Sequence, residues 1–170
     1  QRALAHVRKE RELFARTWEA ARKNYQENYR DMIALERKNP LIIDAVIQEE
    51  DWRNANIITD FSRQDKKSCE QTYARITYDR DNFYLAVEAM EPSLDKIKAD
   101  APNPQKIWDD STIELFLHQP ELGSEVLHLA VNPAGLVNAA IRKDGGGFIR
   151  SVAAEALEVR TKIGDDRWLL

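Results

Sequence analysis

The sequence predicts a mainly β protein, an antiparallel β-sandwich of immunoglobulin or jelly-roll type, preceded by a long N-terminal α-helix or helical hairpin. Three observations carry this prediction. Residues 2–38 lack both Gly and Pro and have an apolar stripe at helical spacing. Beyond Pro40 the apolar period shortens to two. The short period-two runs are separated by turn formers rather than by helical crossovers, which favours a sandwich over a parallel α/β sheet.

In the first segment Leu4, Val7, Phe14, Trp18, Ala21, Tyr25 and Met32 recur at three- and four-residue steps, interrupted mainly by Arg11. Glu12 with Arg16 and Glu19 with Lys23 add i,i+4 pairs on the exposed faces. Asn39 and Pro40 end the pattern. A helix of about 35 residues spans roughly 50 Å, more than the following domain can cover. Its stripe is therefore expected to pack on an upstream domain of the same polypeptide, or to fold back as a hairpin. Charge marks the same boundary. Residues 1–38 hold ten Lys and Arg against six Asp and Glu, about +4, which leaves fifteen against twenty-three, about −8, for residues 39–170. Two units follow: a helical segment 1–38 and a β-sandwich 39–170.

Within the second unit the runs at 72–79, 82–90, 112–118, 126–132 and 136–142 read as strands, bounded by turns such as DRDN, NPAG and KDGGG. A formal net charge of −4 gives no basic surface for nucleic acid. A single cysteine, Cys69, excludes an intrachain disulfide framework and a cysteine-cluster zinc site. No stretch approaches the roughly 18 apolar residues of a membrane span.

The segment IWDDSTIELFLH, 107–118, concentrates the chemistry. In a strand, Ile113, Leu115 and Leu117 share one face, and Thr112, Glu114, Phe116 and His118 share the other. The first face is core. The second is mixed, with Trp108 and Asp110 on the same parity if the chain stays extended. The strand 127–131 repeats the arrangement and, paired with it, brings His128 near Glu114 or Phe116. Such a face suits an amphipathic ligand. Sugars are ligands of this kind, stacking C–H faces on aromatic rings and donating hydroxyls to carboxylates. Other readings attach to the same residues. Asp109 or Asp110 with Glu114 resembles a glycosidase acid pair, but a regular strand offers no deep cleft. Asp109 and Asp110, or Asp79 and Asp81, suit calcium by residue type, while turn aspartates bonded to backbone N–H groups have the same spacing.

WDDSTIELFL resembles the W-x-x-D/S-x-x-E-I/L-F motif of carbohydrate-binding module family 9 and its relatives in the DOMON-like superfamily. Other segments resemble that family in order: PLIIDAVIQEEDWRNA with Ile43, Asp44 and Trp52, where Ala45 stands at a usual Gly; ARITYDRDNFYLAVEAMEPSL; HLAVNPAGLV; and DDRWLL as a later strand. The resemblance spans residues 40–170. It implies a non-catalytic sugar-binding β-sandwich, incomplete at its C-terminus, belonging to a larger secreted bacterial polysaccharide-processing protein such as a glycoside hydrolase. It also implies an extracellular or periplasmic location, a carbohydrate partner and structural calcium at Asp109 and Asp110. Trp108 matches one clamp aromatic and Glu114 the sugar-binding carboxylate, with His128 and Asn132 at the border. Ala130 stands where the family carries a sugar-binding Arg, and the second clamp tryptophan falls beyond Leu170. Two alternatives accompany this reading: a spacer or docking sandwich with a degenerate sugar site, and a haem domain ligated by Met90 and His128.

Overall fold

Alternation of apolar and polar residues over 72–90 produces the central pair of the first sheet. The structure is a computed structural model and describes residues 33–59, 61–63, 66–67, 71–118, 123–143, 147–153 and 156–170. In chain order the strands are β1 (Leu35–Glu36), β2 (Asn56–Ile58), β3 (Ser62–Arg63), β4 (Lys66–Lys67), β5 (Thr72–Tyr78), β6 (Phe83–Met90), β7 (Ile113–His118), β8 (Glu125–Val131), β9 (Val137–Lys143), β10 (Phe148–Ser151), β11 (Lys162–Ile163) and β12 (Arg167–Leu169). One helical turn, α1 (Glu49–Trp52), and two 3-10 turns, Leu94–Lys96 and Pro104–Asp109, complete the described elements. None is a helix long and apolar enough to cross a membrane.

The first sheet has the order β1-β5-β6-β12-β11, with β2 also paired to β5. The second is β10-β9-β8-β7, and β3 and β4 pair separately. The five strands expected from alternation appear within one or two residues of their expected bounds, and RWLL supplies β12. The second sheet is antiparallel throughout, as is the first except for β1, which runs parallel to β5.

The long N-terminal helix is not supported. Residues 1–32 lie outside the described residues. The end of the expected helix is extended, with Leu35 opposite Thr77 and Glu36 opposite Tyr78. Arg37 N donates to Tyr78 O at 2.8 Å, and Thr77 Oγ1 donates to Leu35 O at 2.7 Å. The unpaired edge of β5 takes up these backbone groups, and sheet pairing overrides a helical stripe at its last turn. The sandwich thus begins ahead of the composition boundary.

Register assigns the faces. Ala74, Leu85, Val87 and Trp168 share the face of the first sheet turned toward the second, where Ala74, Val87 and Trp168 are buried. Leu85, Ile113, Leu115, Leu129, Val131 and Leu157 line a cavity of about 140 Å³ between the sheets. On the other face, Tyr84 and Ala86 form a cluster with Trp52, closed by Leu41, Ile43, Ile47 and Ala55. This explains the acidic turn that ends in Trp: one turn of helix carries the indole onto the sheet. Asp44 Oδ1 accepts Val46 N at 2.9 Å, and the intervening Ala45 has φ 56°, a left-handed conformation that favours Gly.

Asp79 closes the hairpin between β5 and β6. Its Oδ1 accepts the N–H groups of Asp81 and Asn82, each at 2.8 Å, and its Oδ2 accepts Tyr84 Oη at 2.5 Å. The Tyr84 hydroxyl, followed by the backbone donors, holds the Asp79 carboxyl below its ordinary value. Burial, followed by contact with Asp79, pushes Tyr84 up. Asp79 is therefore a turn aspartate, and its N–H donors do not suit a cation.

Candidate functional site

The outer face of the second sheet carries the mixed residues of the opening motif. Burial alternates along β7, with Ile113, Leu115 and Leu117 half-buried and Glu114, Phe116 and His118 exposed. β7 pairs with β8 so that Phe116 lies opposite His128 and Glu114 opposite Ala130. β9 continues the sheet, with His128 opposite Ala140 and Val126 opposite Arg142. Glu114, Phe116, His128 and Arg142 thus share one surface.

Trp108 reaches that surface by a route that strand parity did not predict. Residues 104–109 form a 3-10 turn rather than an extension of β7. Asn103 Oδ1 caps it by accepting Gln105 N at 3.1 Å, and Pro104 occupies the first turn, where its missing N–H costs nothing. Ile107 is fully buried and pins the turn. Trp108, the next residue, consequently points outward and is 42% exposed. Asn138 Nδ2 donates to Pro104 O at 2.8 Å, tying the turn to β9.

Asp110 and Asn132 lock the other end. Asn132 is 0% exposed. Its Nδ2 donates to Asp110 Oδ2 at 2.7 Å, and its Oδ1 accepts Leu136 N at 2.8 Å. Asp110 also accepts Ala101 N at 3.0 Å and Asp100 N at 3.2 Å. Desolvation pushes the Asp110 carboxyl up, but the Asn132, Ala101 and Asp100 donors outweigh it and leave the group below its ordinary value. Asn132 therefore holds the platform from behind, where the sequence placed it at the site border. The NPAG turn buries it: Gly135, at φ 79°, returns its N–H to Asn132 O at 2.9 Å. Calcium does not fit the Asp110 carboxylate, whose oxygens already face three N–H donors, and Asp109 is exposed at the end of the turn. No group of three or more His, Cys, Asp or Glu is placed to hold a metal among the described residues.

His128 is the centre of the surface. It is 8% exposed. Its ring stacks on Phe116 at 4.1 Å between centroids and 14° between planes, and on Trp108 at 5.2 Å and 27°. Its Nε2 lies 2.8 Å from Glu114 Oε2, and Arg142 Nε donates to its Nδ1 at 3.0 Å. No buried side-chain polar atom lacks a partner among the described residues. Because His128 covers part of Trp108 and of Phe116, the aromatic surface left exposed is the part turned away from it. Beside it Glu114 keeps 41% of its side chain exposed, as an acceptor within a polar and aromatic rim.

Of the predicted site residues, Trp108, Glu114 and His128 come together, Asn132 and Asp110 support them from below, and Asp109 is exposed at the end of the 3-10 turn. Met90 is opposite Arg167 on the outer face of the first sheet, with both sheets between it and His128. The haem reading loses its ligand pair, because each residue lies on a different outer face. Strand parity had put Phe116 on this face, whereas sequence reasoning missed Arg142 and Asn138 as parts of the site. The signal for Arg142 lay in the β8–β9 pairing, which puts residue 142 on the same face as residues 126 and 128.

No family model matches the sequence, and no curated protein matches it. Among solved structures, a carbohydrate binding module family 9 from Caldicellulosiruptor kristjanssonii in complex with cellotriose is similar, at TM-score 0.54 and 16% identity, covering 81% of this chain. The chain spans 63% of the length of that structure. At this identity it is the architecture that is shared: the described residues have the β-sandwich fold of carbohydrate-binding module family 9.

Proposed function

We propose that the outer face of the second sheet is a non-catalytic carbohydrate-binding surface, in which Trp108 stacks on a sugar ring and Glu114 accepts hydrogen bonds from its hydroxyls. The observation that carries this reading is the placement of an exposed indole, held out by a pinned 3-10 turn, beside a half-exposed carboxylate on the same face. The C–H face of a pyranose covers apolar ring surface, while its hydroxyls need charged acceptors. The cellotriose in the similar structure supports the same ligand class.

A glycosidase would need a second carboxylate free to act with Glu114. Asp110 accepts three N–H donors, and Asp109 is the exposed last residue of a 3-10 turn rather than part of a cleft with Glu114. In this reading the chain serves a longer bacterial polysaccharide-processing protein, such as a glycoside hydrolase, exported to the periplasm or the medium. The carrier domain supplies the chemistry.

The spacer reading also has a specific observation in its favour, since His128 occupies one side of Trp108 and narrows the aromatic surface left for a ligand. A glycan array followed by calorimetry with cello-oligosaccharides separates the two. Saturable binding supports the sugar surface, and its absence against all glycans at millimolar concentration leaves the spacer.

A further inference from the structure

Arg142, on β9, is outside the opening motif, yet it makes the only described side-chain contact to the inner nitrogen of His128. A guanidinium N–H only donates. The 3.0 Å contact from Arg142 Nε to His128 Nδ1 therefore requires that Nδ1 carry a lone pair, which puts the ring proton on Nε2. That proton points at Glu114 Oε2, 2.8 Å away, and the imidazole donates to the carboxylate. The His128–Glu114 contact has the distance of an ion pair. With Arg142 donating on the other side, it is instead a hydrogen bond from a neutral ring. A doubly protonated ring would set an N–H against the N–H of Arg142.

The consequence reaches Glu114. Its Oε2 already accepts from His128, so Oε1 is the less engaged oxygen for a donor from outside. Phe116 and Trp108 stack on the ring at 4.1 Å and 5.2 Å and resist its turning out of that plane. Stacking fixes the ring plane, and Arg142 fixes which edge carries the proton. Flipping the ring would leave the Arg142 donor facing a different atom.

We infer that Arg142 is a positioning residue of the sugar surface, acting through His128 to orient Glu114 as an acceptor for ligand hydroxyls. This deepens the proposed function and rests on it for the ligand class, but the relay itself is measurable without ligand. Long-range nitrogen–proton NMR on the protein labelled at histidine nitrogens reads the tautomer directly. At neutral pH, wild-type His128 is expected to show a protonated Nε2 and a bare Nδ1. In Arg142→Met that single pattern is lost, with Nδ1 protonated in part or in full, and in Arg142→Lys it is restored at least partly. A protonated Nδ1 in the wild type, or an unchanged pattern in Arg142→Met, overturns the relay.

Calorimetry with cellotriose then reads the positioning effect. Losing the donor that orients a charged acceptor is expected to weaken binding about tenfold in Arg142→Met, the factor equal to about 1.4 kcal/mol, with the thermal midpoint as a control for folding. Unchanged affinity in a folded Arg142→Met overturns the positioning role. If the wild type binds no sugar, the proposed function fails, whereas the tautomer pattern still decides whether Arg142 sets the proton of His128.

Discussion

Replacing Trp108 by Ala removes the surface on which the ligand is proposed to stack. A Trp side chain offers up to about 250 Å², so an exposure of 42% corresponds to roughly 100 Å² available to a ligand. Covering half to all of it at about 25 cal/mol per Å² contributes about 1.3–2.5 kcal/mol, or roughly 8- to 60-fold in affinity. The substitution also uncovers His128, whose stack at 5.2 Å is worth about 0.5–1.5 kcal/mol, so some thermal stability is lost as well. Trp108→Phe separates the effects: a smaller ring keeps much of the stack and loses only part of the ligand surface. Calorimetric titration with cellotriose at a temperature well below the midpoint of each variant is the assay. Wild-type affinity in a folded Trp108→Ala would exclude stacking of the ligand on this indole.

Further outcomes follow from the scaffold. Asn132→Ala removes the fully buried amide that accepts the Leu136 N–H and donates to Asp110, which keeps its Ala101 and Asp100 donors; one backbone donor left without its partner costs about 1–3 kcal/mol, and urea denaturation should show a loss of about that size. Ala45 at φ 56° tolerates Gly within about 1 kcal/mol, whereas Ala45→Val, a β-branched residue in the left-handed region, costs about 2 kcal/mol or more and should be visible as a lowered thermal midpoint. Asp79, Asp110 and Asp166 all have folded carboxyls below their ordinary value. Their stabilisation is complete above the unfolded value of about 3.9 and is lost as pH falls through the lower folded values. Thermal midpoints should therefore drop below about pH 4, with a shallower drop in Asp79→Asn.

Strand parity made most of the surface legible. The alternation at 113–118 separated Ile113, Leu115 and Leu117 from Glu114 and Phe116, and pairing with 126–131 put His128 beside them, as the register shows. The route of Trp108 was less accessible. Asn103 and Pro104 are good starters for a helical turn, but a single 3-10 turn has no period to detect. The burial of Asn132 was not legible, because an Asn-Pro-x-Gly turn carries no local signal for the direction of its Asn amide. The fold instead drives its amide inward to satisfy Asp110 and Leu136.

At the other end, a helical stripe continued through residues that the open edge of β5 draws into a parallel pair. That competition is decided by tertiary hydrogen bonds, which a local pattern does not contain. Arg142 needed a third strand in register before its side chain could be placed near His128. The ion network Arg75–Glu88–Arg167, with contacts of 2.5 Å and 3.1 Å, was equally invisible. It joins β5, β6 and β12 on the outer face of the first sheet, away from the proposed surface.

The most direct measurement is an amide and indole NMR titration of the isotope-labelled protein with cellotriose. Progressive, saturable shifts at the Trp108 indole, Glu114, Phe116 and His128, with β5, β6 and β12 unmoved, are the predicted result. Shifts confined to the first sheet, or none at millimolar sugar, would contradict the assignment of the carbohydrate surface to the outer face of β7, β8 and β9.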